Sequence, residues 1–424
     1  MGNICHAEAA VEMPAPQSSD PPPKKPLAFG KDPSLKREDF VFSNLKAPPS
    51  ALVKLPGTIN GQQFIVEDCR DCDIFLLDNC TSVQIDECAN CRIFVGPCQA
   101  SLFLRNCKQC TVICAVQQFR TRDCVDVDVY LYSATEPIIE TSTRMRFGCF
   151  PLTYFSLQQQ FDSANFSVWN NKWSEQLCIC GFGSHQFLQI YNFNPAHGTW
   201  RPLPMQSNIS PLASALQKAE DGEEGSLWKL PVATVESVGL SVALAQLVVP
   251  LSCGVCASKD DESTVVICFI LPNQQLMLDF VTAMATNPSE SNGNTELIRT
   301  CQLKLTADQA KVLFIKDKGQ QCVQVRIIFP IESWDWQHEN PLMPALFTHI
   351  HLRITQKAAE ATKNTAGSVV MEFQGRESYK NTVSVLENEK FCALVSTTSV
   401  CYSSDDADAR RMRELVFQEW KPRV

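Results

Sequence analysis

The residues best suited to chemistry lie in the segment QQFRTRDC, 117–124, where two glutamines are followed by two arginines. A guanidinium such as that of Arg120 presents a planar fork of donors that neutralises charge on phosphate oxygens, which lysine does not reproduce. Successive residues of a strand face opposite sides, so Gln118, Arg120 and Arg122 are predicted to share an exposed face. Phe119, between them, is predicted to point inward. Arg120 is therefore the first candidate for a functional residue, and an ordinary solvated charge is the alternative.

The same segment closes a series of sequence repeats that would hold it in place. The repeats are FIVEDC (64–69), VQIDEC (83–88), LFLRNC (102–107) and QFRTRDC (118–124), spaced nineteen residues apart twice and then seventeen. Repetition at a short period indicates stacked coils, each of which needs the next to bury its apolar face. Short alternating strands with polar corners between them predict a right-handed parallel β-helix, in which equivalent side chains form ladders.

The repeats also carry three C-x₂-C pairs, whose thiols allow two interpretations. The pairs are Cys69/Cys72, Cys88/Cys91 and Cys107/Cys110, separated by fifteen residues each time. This spacing resembles that of a zinc ribbon. However, three pairs make one and a half tetrahedral sites, and the neighbouring apolar residues share the same period. We therefore predict stacked, buried thiols and no metal site, with a zinc or redox protein as the alternative.

Composition argues against several classes of protein. The chain of 424 residues has room for two or three domains, and its net charge of −9 disfavours a nucleic-acid partner. No apolar run reaches the roughly 18–20 residues that span a bilayer. A basic stretch followed by an apolar one, which would indicate a secretory signal, is absent from the start of the sequence. The 21 cysteines are accordingly expected to be reduced thiols in the cytosol.

The first residues, MGNICH, predict attachment to a membrane through acyl chains. Gly2 would accept a myristoyl chain once Met1 is removed, and Cys5 lies where a palmitoyl chain could follow. His6 departs from the serine or threonine that is usual at its position. One myristoyl chain gives only marginal binding, on the order of 10⁴ M⁻¹, so Cys5 would supply the second anchor. Residues 1–35 are otherwise predicted to be a proline-rich, disordered tail, and an unmodified tail is the alternative.

From residue 263 onward the pattern alternates between strands and helices. Strands are predicted at 264–271, 297–305, 323–329, 369–373 and 391–395, and helices at 274–285, 307–314, 379–386 and 407–420. This order suits a ferredoxin-like sheet with helices on one face. The predicted fold class is thus β plus α/β, a right-handed parallel β-helix followed by a ferredoxin-like α+β domain.

Four segments together resemble the tubulin cofactor C domain, in particular that of the retinitis pigmentosa protein 2 family. They are QQFRTRDC (117–124), ATEPIIE (134–140), FGCF (147–150) and NNKWS (170–174). The resemblance runs through residues 36–175. It implies a β-helix that activates GTP hydrolysis by an Arf-like small GTPase.

The resemblance also implies roles for individual residues. The expected catalytic group is Arg120, Gln117 and Gln118, and the expected GTPase-binding group is Glu140, Trp169, Arg122 and Phe119. Within these groups Arg120 would be an arginine finger supplied in trans to the partner's active site. Glu140 stands at the family's GTPase-contacting glutamate, and Trp169 at an aromatic contact position that is usually Phe.

Domain organisation and cellular setting follow from the same resemblance. The expected domains are a lipid-anchored tail at 1–35, the β-helix at 36–175, a connector at 176–258, and a nucleoside diphosphate kinase-like domain without phosphotransfer at 259–424. The protein would have no catalytic activity or cofactor of its own, because Mg-GTP belongs to the GTP-bound partner. It would serve membrane and ciliary protein trafficking at the cytoplasmic face of the plasma membrane and at the base of a cilium or flagellum. The alternative is a non-catalytic GTPase effector or a tubulin-folding cofactor-like binding module, for which tubulin would be a partner.

Overall fold

The computed structural model describes residues 35–175, 200–202, 229–243, 246–254, 263–268, 274–286, 295–306, 367–375, 378–388, 390–391, 400–403 and 406–417. The chain divides into two compact units, Met1–Asp39 and Phe40–Val424. The first unit is described only over residues 35–39, so the predicted tail lies almost wholly outside the described residues. A 3₁₀ turn spans Arg37–Phe40, and the strands and α-helices given below all lie in the second unit.

A parallel β-helix forms the first part of the second unit. Its strands are β1 Val41–Ser43, β2 Leu52–Lys54, β3 Phe64–Glu67, β4 Asp73–Leu76, β5 Val83–Asp86, β6 Arg92–Arg105, β7 Thr111–Arg122, β8 Asp128–Ser133, β9 Ile138–Glu140, β10 Met145–Cys149 and β11 Trp200–Pro202. Successive coils pair in parallel in the order β1-β3-β5-β6-β7-β8-β10-β11, with β2-β4-β6 and β7-β9 alongside. The register joins Phe64 to Val83, Val83 to Leu102 and Leu102 to Phe119, so the predicted ladder is confirmed.

Left-handed backbone conformations turn the chain at equivalent corners of successive coils. Asp68, Glu87, Asn106 and Asp123 have φ values of 47°, 54°, 54° and 54°. Asparagine and aspartate tolerate this region best among residues that carry a Cβ. The corner amides donate to carbonyls of the next coil, as from Asp68 to the Asp86 oxygen at 3.0 Å. The backbone therefore remains hydrogen-bonded where the strands stop.

Apolar ladders in the interior hold the coils together. Phe64, Val83, Leu102 and Phe119 are fully buried one above another. Burying one such side chain contributes about 1.5–3 kcal/mol relative to exposing it. Helix α1, Leu157–Ser163, packs against the long strand β6. The β-helix is consequently a stiff support for the side chains that point outward from it.

An antiparallel sheet forms the C-terminal region, after helix α2 at Val232–Val238. Its elements are β12 Ser263–Cys268, α3 Gln274–Thr286, β13 Glu296–Leu303, β14 Ser368–Gln374, α4 Ser378–Glu387, β15 Val400–Tyr402 and α5 Asp406–Phe417. The described strands lie in the order β13-β14-β12-β15, and each neighbouring pair is antiparallel. Strands β12 and β13, connected through α3, are separated by β14, which is the split β-α-β arrangement of the ferredoxin-like fold. The predicted fold class is confirmed.

Two details predicted for this sheet are wrong. Helices cover both of its faces: Val266 of β12 belongs to the apolar cluster that contains Phe280 of α3, whereas Val265 packs with Met412 of α5. Alternate residues of a strand face opposite sides, so adjacent valines serve different helices. Phe391, expected to begin a strand at 391–395, is helical, and the rest of that predicted strand lies outside the described residues. The segments predicted at 307–314 and 323–329 lie outside the described residues.

Polar contacts join the end of the β-helix to strand β13. The Thr300 hydroxyl donates to the Trp169 carbonyl oxygen at 2.8 Å, and the Gln302 amide donates to the side-chain oxygen of Asn170 at 2.7 Å. These bonds pair groups that would otherwise be buried without partners.

None of the helices within the described ranges combines the length and hydropathy needed to cross a bilayer.

Glu175, at the end of the described β-helix segment, gives the stability of the protein a predictable pH dependence. Burial raises the pKa of its carboxyl to about 7, despite the opposing charge of Lys172 at 3.7 Å. A carboxyl with a raised pKa contributes its stabilisation fully below its unfolded-state value of 4.5 and loses it as pH rises through about 7. We therefore expect Glu175→Gln to raise Tm at pH 8 and to change it little at pH 5, measured by circular dichroism.

The exposed corner residue Glu87 supplies the control, because Glu87→Gln removes a carboxylate that is already in water. Its effect on Tm should be small and equal at the two pH values. An equal effect of Glu175→Gln at pH 5 and pH 8 would contradict the raised pKa.

Candidate functional site

Strand β7 carries the predicted site residues with the alternation expected from the sequence. Gln117 is exposed, Gln118 and Arg120 are half-buried, Phe119 is buried and Arg122 is exposed. Because the strand pairs with β6 below and with β8 and β9 above, its backbone is fixed on both sides. A functional side chain on such an element is held more accurately than one on a loop.

Two neighbours restrain the guanidinium of Arg120. Its Nη2 donates to Glu140 Oε1 at 3.0 Å, and its central carbon lies 4.6 Å from the centre of the Phe103 ring. The Arg120 side chain is 32% exposed and that of Glu140 is 18% exposed. The Nε atom of Arg120 is buried, with no hydrogen-bond partner among the described residues. The guanidinium is therefore oriented, but its donors are not all used.

Glu140 lies near two arginines, Arg120 and Arg122, and the sequence alone does not show which of them its carboxylate contacts. In the β7–β9 register Glu140 lies opposite Arg122, whereas Arg120 lies opposite Ile138. The carboxylate nevertheless reaches diagonally to Arg120. Arg122 pairs instead with Asp123, its Nε lying 3.2 Å from Oδ2. Arg122 remains 62% exposed and Arg120 receives the more buried carboxylate.

The two glutamines are tied to the site by different means. The carbonyl oxygen of Gln117 accepts hydrogen bonds from the Thr135 amide at 3.0 Å and the Thr135 hydroxyl at 2.9 Å, which leaves its exposed side chain uncommitted by these bonds. Gln118 accepts a bond from the Ser101 hydroxyl at 3.3 Å. Gln118, Arg120 and Glu140 thus lie on one surface of the two adjacent strands β7 and β9, with the exposed Gln117 next to Gln118 along the chain.

The two aromatic residues predicted to bind a partner do not lie on this surface. Phe119 is fully buried, with its ring 6.0 Å from that of Phe147. Trp169 is 3% exposed, and its segment is bound by β13 through Thr300. The role predicted for Trp169 as an aromatic contact of the GTPase stays a prediction. The aromatic ring that does lie beside Arg120 belongs to Phe103, which the repeat register alone identifies.

The lipidation residues Gly2 and Cys5 lie outside the described residues. So does most of the connector predicted at 176–258. Their predicted roles stay predictions.

The thiols of the repeats form two buried columns. Cys69, Cys88, Cys107 and Cys124 belong to one, Cys72, Cys91 and Cys110 to the other, and none is more than 2% exposed. The thiols donate to backbone carbonyls of the coil below, as Cys91 does to the Cys69 oxygen at 3.3 Å. Burial raises the pKa of Cys72 and of Cys98, near these columns, to about 12. Within the described ranges no three His, Cys, Asp or Glu side chains converge as a metal site would require.

Comparison with known proteins places the chain in a family. A model described as tubulin binding cofactor C matches residues 61–177. Protein XRP2 of Gallus gallus is 37% identical over 289 residues, covering 67% of this chain and 69% of the relative. Protein XRP2 of Xenopus laevis is 36% identical over 303 residues, covering 70% and 75%. The chain belongs to the XRP2 family.

The matches to the XRP2 relatives span only part of this chain and only part of each relative. Protein XRP2 of Danio rerio is 37% identical over 268 residues, which cover 61% of this chain and 63% of the relative. The tubulin binding cofactor C match includes the whole surface around Arg120. A solved structure, tubulin binding cofactor C from Leishmania major, is 23% identical and covers 30% of this chain and 82% of that one with a TM-score of 0.24, which is too low to support an argument.

The thiol columns of this XRP2-family protein predict resistance to alkylation. A thiol reacts as an exposed thiolate, and these are buried. At pH 9 unfolded cysteines are about half ionised, whereas a folded-state pKa of about 12 keeps Cys72 and Cys98 protonated. We expect iodoacetamide to leave the column cysteines unmodified in native protein and to label them after denaturation in guanidinium, as measured by peptide mass spectrometry.

Elemental analysis of the same sample separates the two interpretations of the C-x₂-C pairs. Stoichiometric zinc that protects the pairs from alkylation would contradict the thiol columns. Rapid labelling of the native pairs would contradict their burial.

Proposed function

We propose that this XRP2-family protein activates GTP hydrolysis by an Arf-like small GTPase, with Arg120 as an arginine finger supplied in trans. The observation that carries the proposal is the half-exposed guanidinium of Arg120 on a rigid strand, oriented by Glu140 and Phe103 while its Nε lacks a partner. A buried polar atom without a hydrogen-bond partner is uncommon in a folded protein, which supports a functional role for Arg120.

The chemistry of phosphoryl transfer explains why an arginine suits this position. As the γ-phosphoryl group moves to water, charge develops on the oxygens around it, and a guanidinium neutralises that charge through a planar fork of donors. Such a finger accelerates hydrolysis by roughly 10³–10⁵. Arg120 projects from β7 with its orientation already restricted, so less freedom is lost when the partner binds.

The surrounding polar residues have separate parts in the proposal. Gln117 has an exposed side chain available to a partner's loops, and Gln118 extends the polar surface toward Ser101. Glu140 orients Arg120 in the free protein, and it can accept a basic group of the GTPase once the arginine is engaged. Arg122, 62% exposed, supplies charge at the edge. No catalytic activity of the protein's own is involved, and Mg-GTP belongs to the partner.

Arg120→Ala tests the proposal in single-turnover GTP hydrolysis by an Arf-like GTPase. We expect a loss of stimulation on the order of 10³-fold or more, because the charge-neutralising group is removed. Binding of the GTP-loaded partner, measured by calorimetry, should change much less. Arg120→Lys should be nearly as defective, since an ammonium lacks the planar fork.

Arg70→Ala is the matched control, because Arg70 is an exposed corner arginine paired with Asp68. The Arg70→Ala variant should stimulate GTP hydrolysis as strongly as the wild-type protein does. Full stimulation by Arg120→Ala would remove the finger from the mechanism. Retained binding with no stimulation by the wild-type protein would favour the alternative, a non-catalytic GTPase effector; binding of tubulin in place of the GTPase would favour a tubulin-folding module.

We further propose attachment to the cytoplasmic face of the plasma membrane, and action near the base of a cilium or flagellum, through acylation of Gly2 and Cys5. Two chains are required because one myristoyl group binds only marginally. Gly2→Ala should release the protein into the supernatant of fractionated cells, and Cys5→Ser should weaken its retention. Membrane retention of Gly2→Ala would contradict this anchor.

A further inference from the structure

We infer that Phe103 is a positioning residue for Arg120, and this inference rests on the proposed activation of a GTPase. Phe103 lies opposite Arg120 in the β6–β7 register, one coil earlier in the chain. The guanidinium carbon is 4.6 Å from the ring centre, within the range of a cation–π contact. The ring is half-buried, so it stands as a fixed platform beside the exposed end of Arg120.

The ring supplies a restraint that Glu140 does not. Glu140 contacts one terminal nitrogen, Nη2, at 3.0 Å, and Nε has no partner among the described residues. One hydrogen bond at the tip leaves the plane of the guanidinium free to rotate about it. A ring against its flat face restricts that rotation. Since a free arginine side chain populates many rotamers, this restriction matters for a group that must meet a transition state.

The two restraints also differ in what happens when a partner arrives. An ion pair with Glu140 occupies a donor that the phosphate oxygens would need. Stacking on Phe103 uses the face of the guanidinium and leaves its in-plane N–H donors available. Phe103 can therefore orient Arg120 both before and after the guanidinium exchanges Glu140 for the phosphate. Its loss should lower the rate of hydrolysis rather than the affinity for the GTPase.

A second arginine near the same ring serves a different purpose. The guanidinium carbon of Arg105 lies 5.9 Å from the Phe103 ring centre. Arg105 is held by Asp86 through two hydrogen bonds, at 2.7 and 2.6 Å. Such a two-point pair is among the stronger side-chain interactions. Arg105 therefore stays committed within the β-helix, and Arg120 is the stacked arginine with an unpartnered nitrogen.

The test compares three variants in single-turnover GTP hydrolysis at saturating activator, together with the affinity for the GTP-loaded GTPase. Phe103→Leu keeps an apolar side chain and removes the aromatic face, so we expect about a tenfold slower maximal rate, equivalent to about 1.4 kcal/mol, with affinity within about twofold. Phe103→Tyr restores a ring and should recover most of the rate. Ile65→Ala, on the same outer column three rungs from Arg120, should behave like the wild-type protein.

A spectroscopic measurement on the free protein makes the result independent of the GTPase. The Nε–H proton of Arg120, assigned by its absence in Arg120→Lys, should show an upfield ring-current shift. That shift should vanish in Phe103→Leu and persist in Phe103→Tyr. Unchanged Tm values would confirm that all variants are folded.

The outcomes separate failure of this inference from failure of the proposed function. A wild-type maximal rate for Phe103→Leu, while Arg120→Ala is inactive, would overturn the positioning role and leave the finger in place. A loss of affinity alone would likewise overturn it, making Phe103 a contact residue. If Arg120→Ala stimulates fully, the proposed function fails, and the positioning role for hydrolysis fails with it even where the ring-current shift shows the stack.

Discussion

Parallel, in-register hydrogen bonding between successive coils is the constraint on which the N-terminal part of this protein depends. Once the strands pair this way, each residue lies against its equivalent in the coil below, so every position becomes a column. A column is stable only when the side chains of neighbouring coils pack or pair favourably with each other. Apolar side chains and buried thiols satisfy this requirement inside. Charged side chains pair along the same kind of register, Arg92 with the buried Asp73 and Arg105 with Asp86.

The same constraint builds the candidate site from three different coils. Phe103, Arg120 and Glu140 lie on three different strands, and the contacts of Arg120 with Phe103 and with Glu140 each join two different coils. Stacking brings an aromatic face, a guanidinium and a carboxylate within reach without any loop having to order itself. An arginine presented in this way loses little freedom on engagement, which is what a group acting on a transition state requires. The stiffness of the β-helix is thus part of the proposed chemistry.

Much of this could be anticipated from the sequence. The nineteen-residue period, the inward ladder beginning at Phe64 and the outward direction of Arg120 follow from local alternation, which each coil repeats. The order of strands and helices after residue 263 likewise predicted the ferredoxin-like sheet. The position of α5 was missed, because the face on which a helix packs depends on which side of the sheet remains uncovered. The burial of Trp169 was likewise not evident from its own segment, whose backbone carbonyl accepts a hydrogen bond from Thr300 of β13.

The coils, the columns and the residue that each column presents could be predicted from the sequence, because they depend on periodicity and on short-range backbone preference. The folded chain alone shows that Glu140 pairs with Arg120 rather than with Arg122, its register neighbour. It also shows that Phe103 lies against the guanidinium and that the Trp169 carbonyl oxygen accepts a hydrogen bond from a residue 131 positions away. Side-chain reach between coils and docking of distant strands set these contacts, and neither is encoded in the period of a repeat.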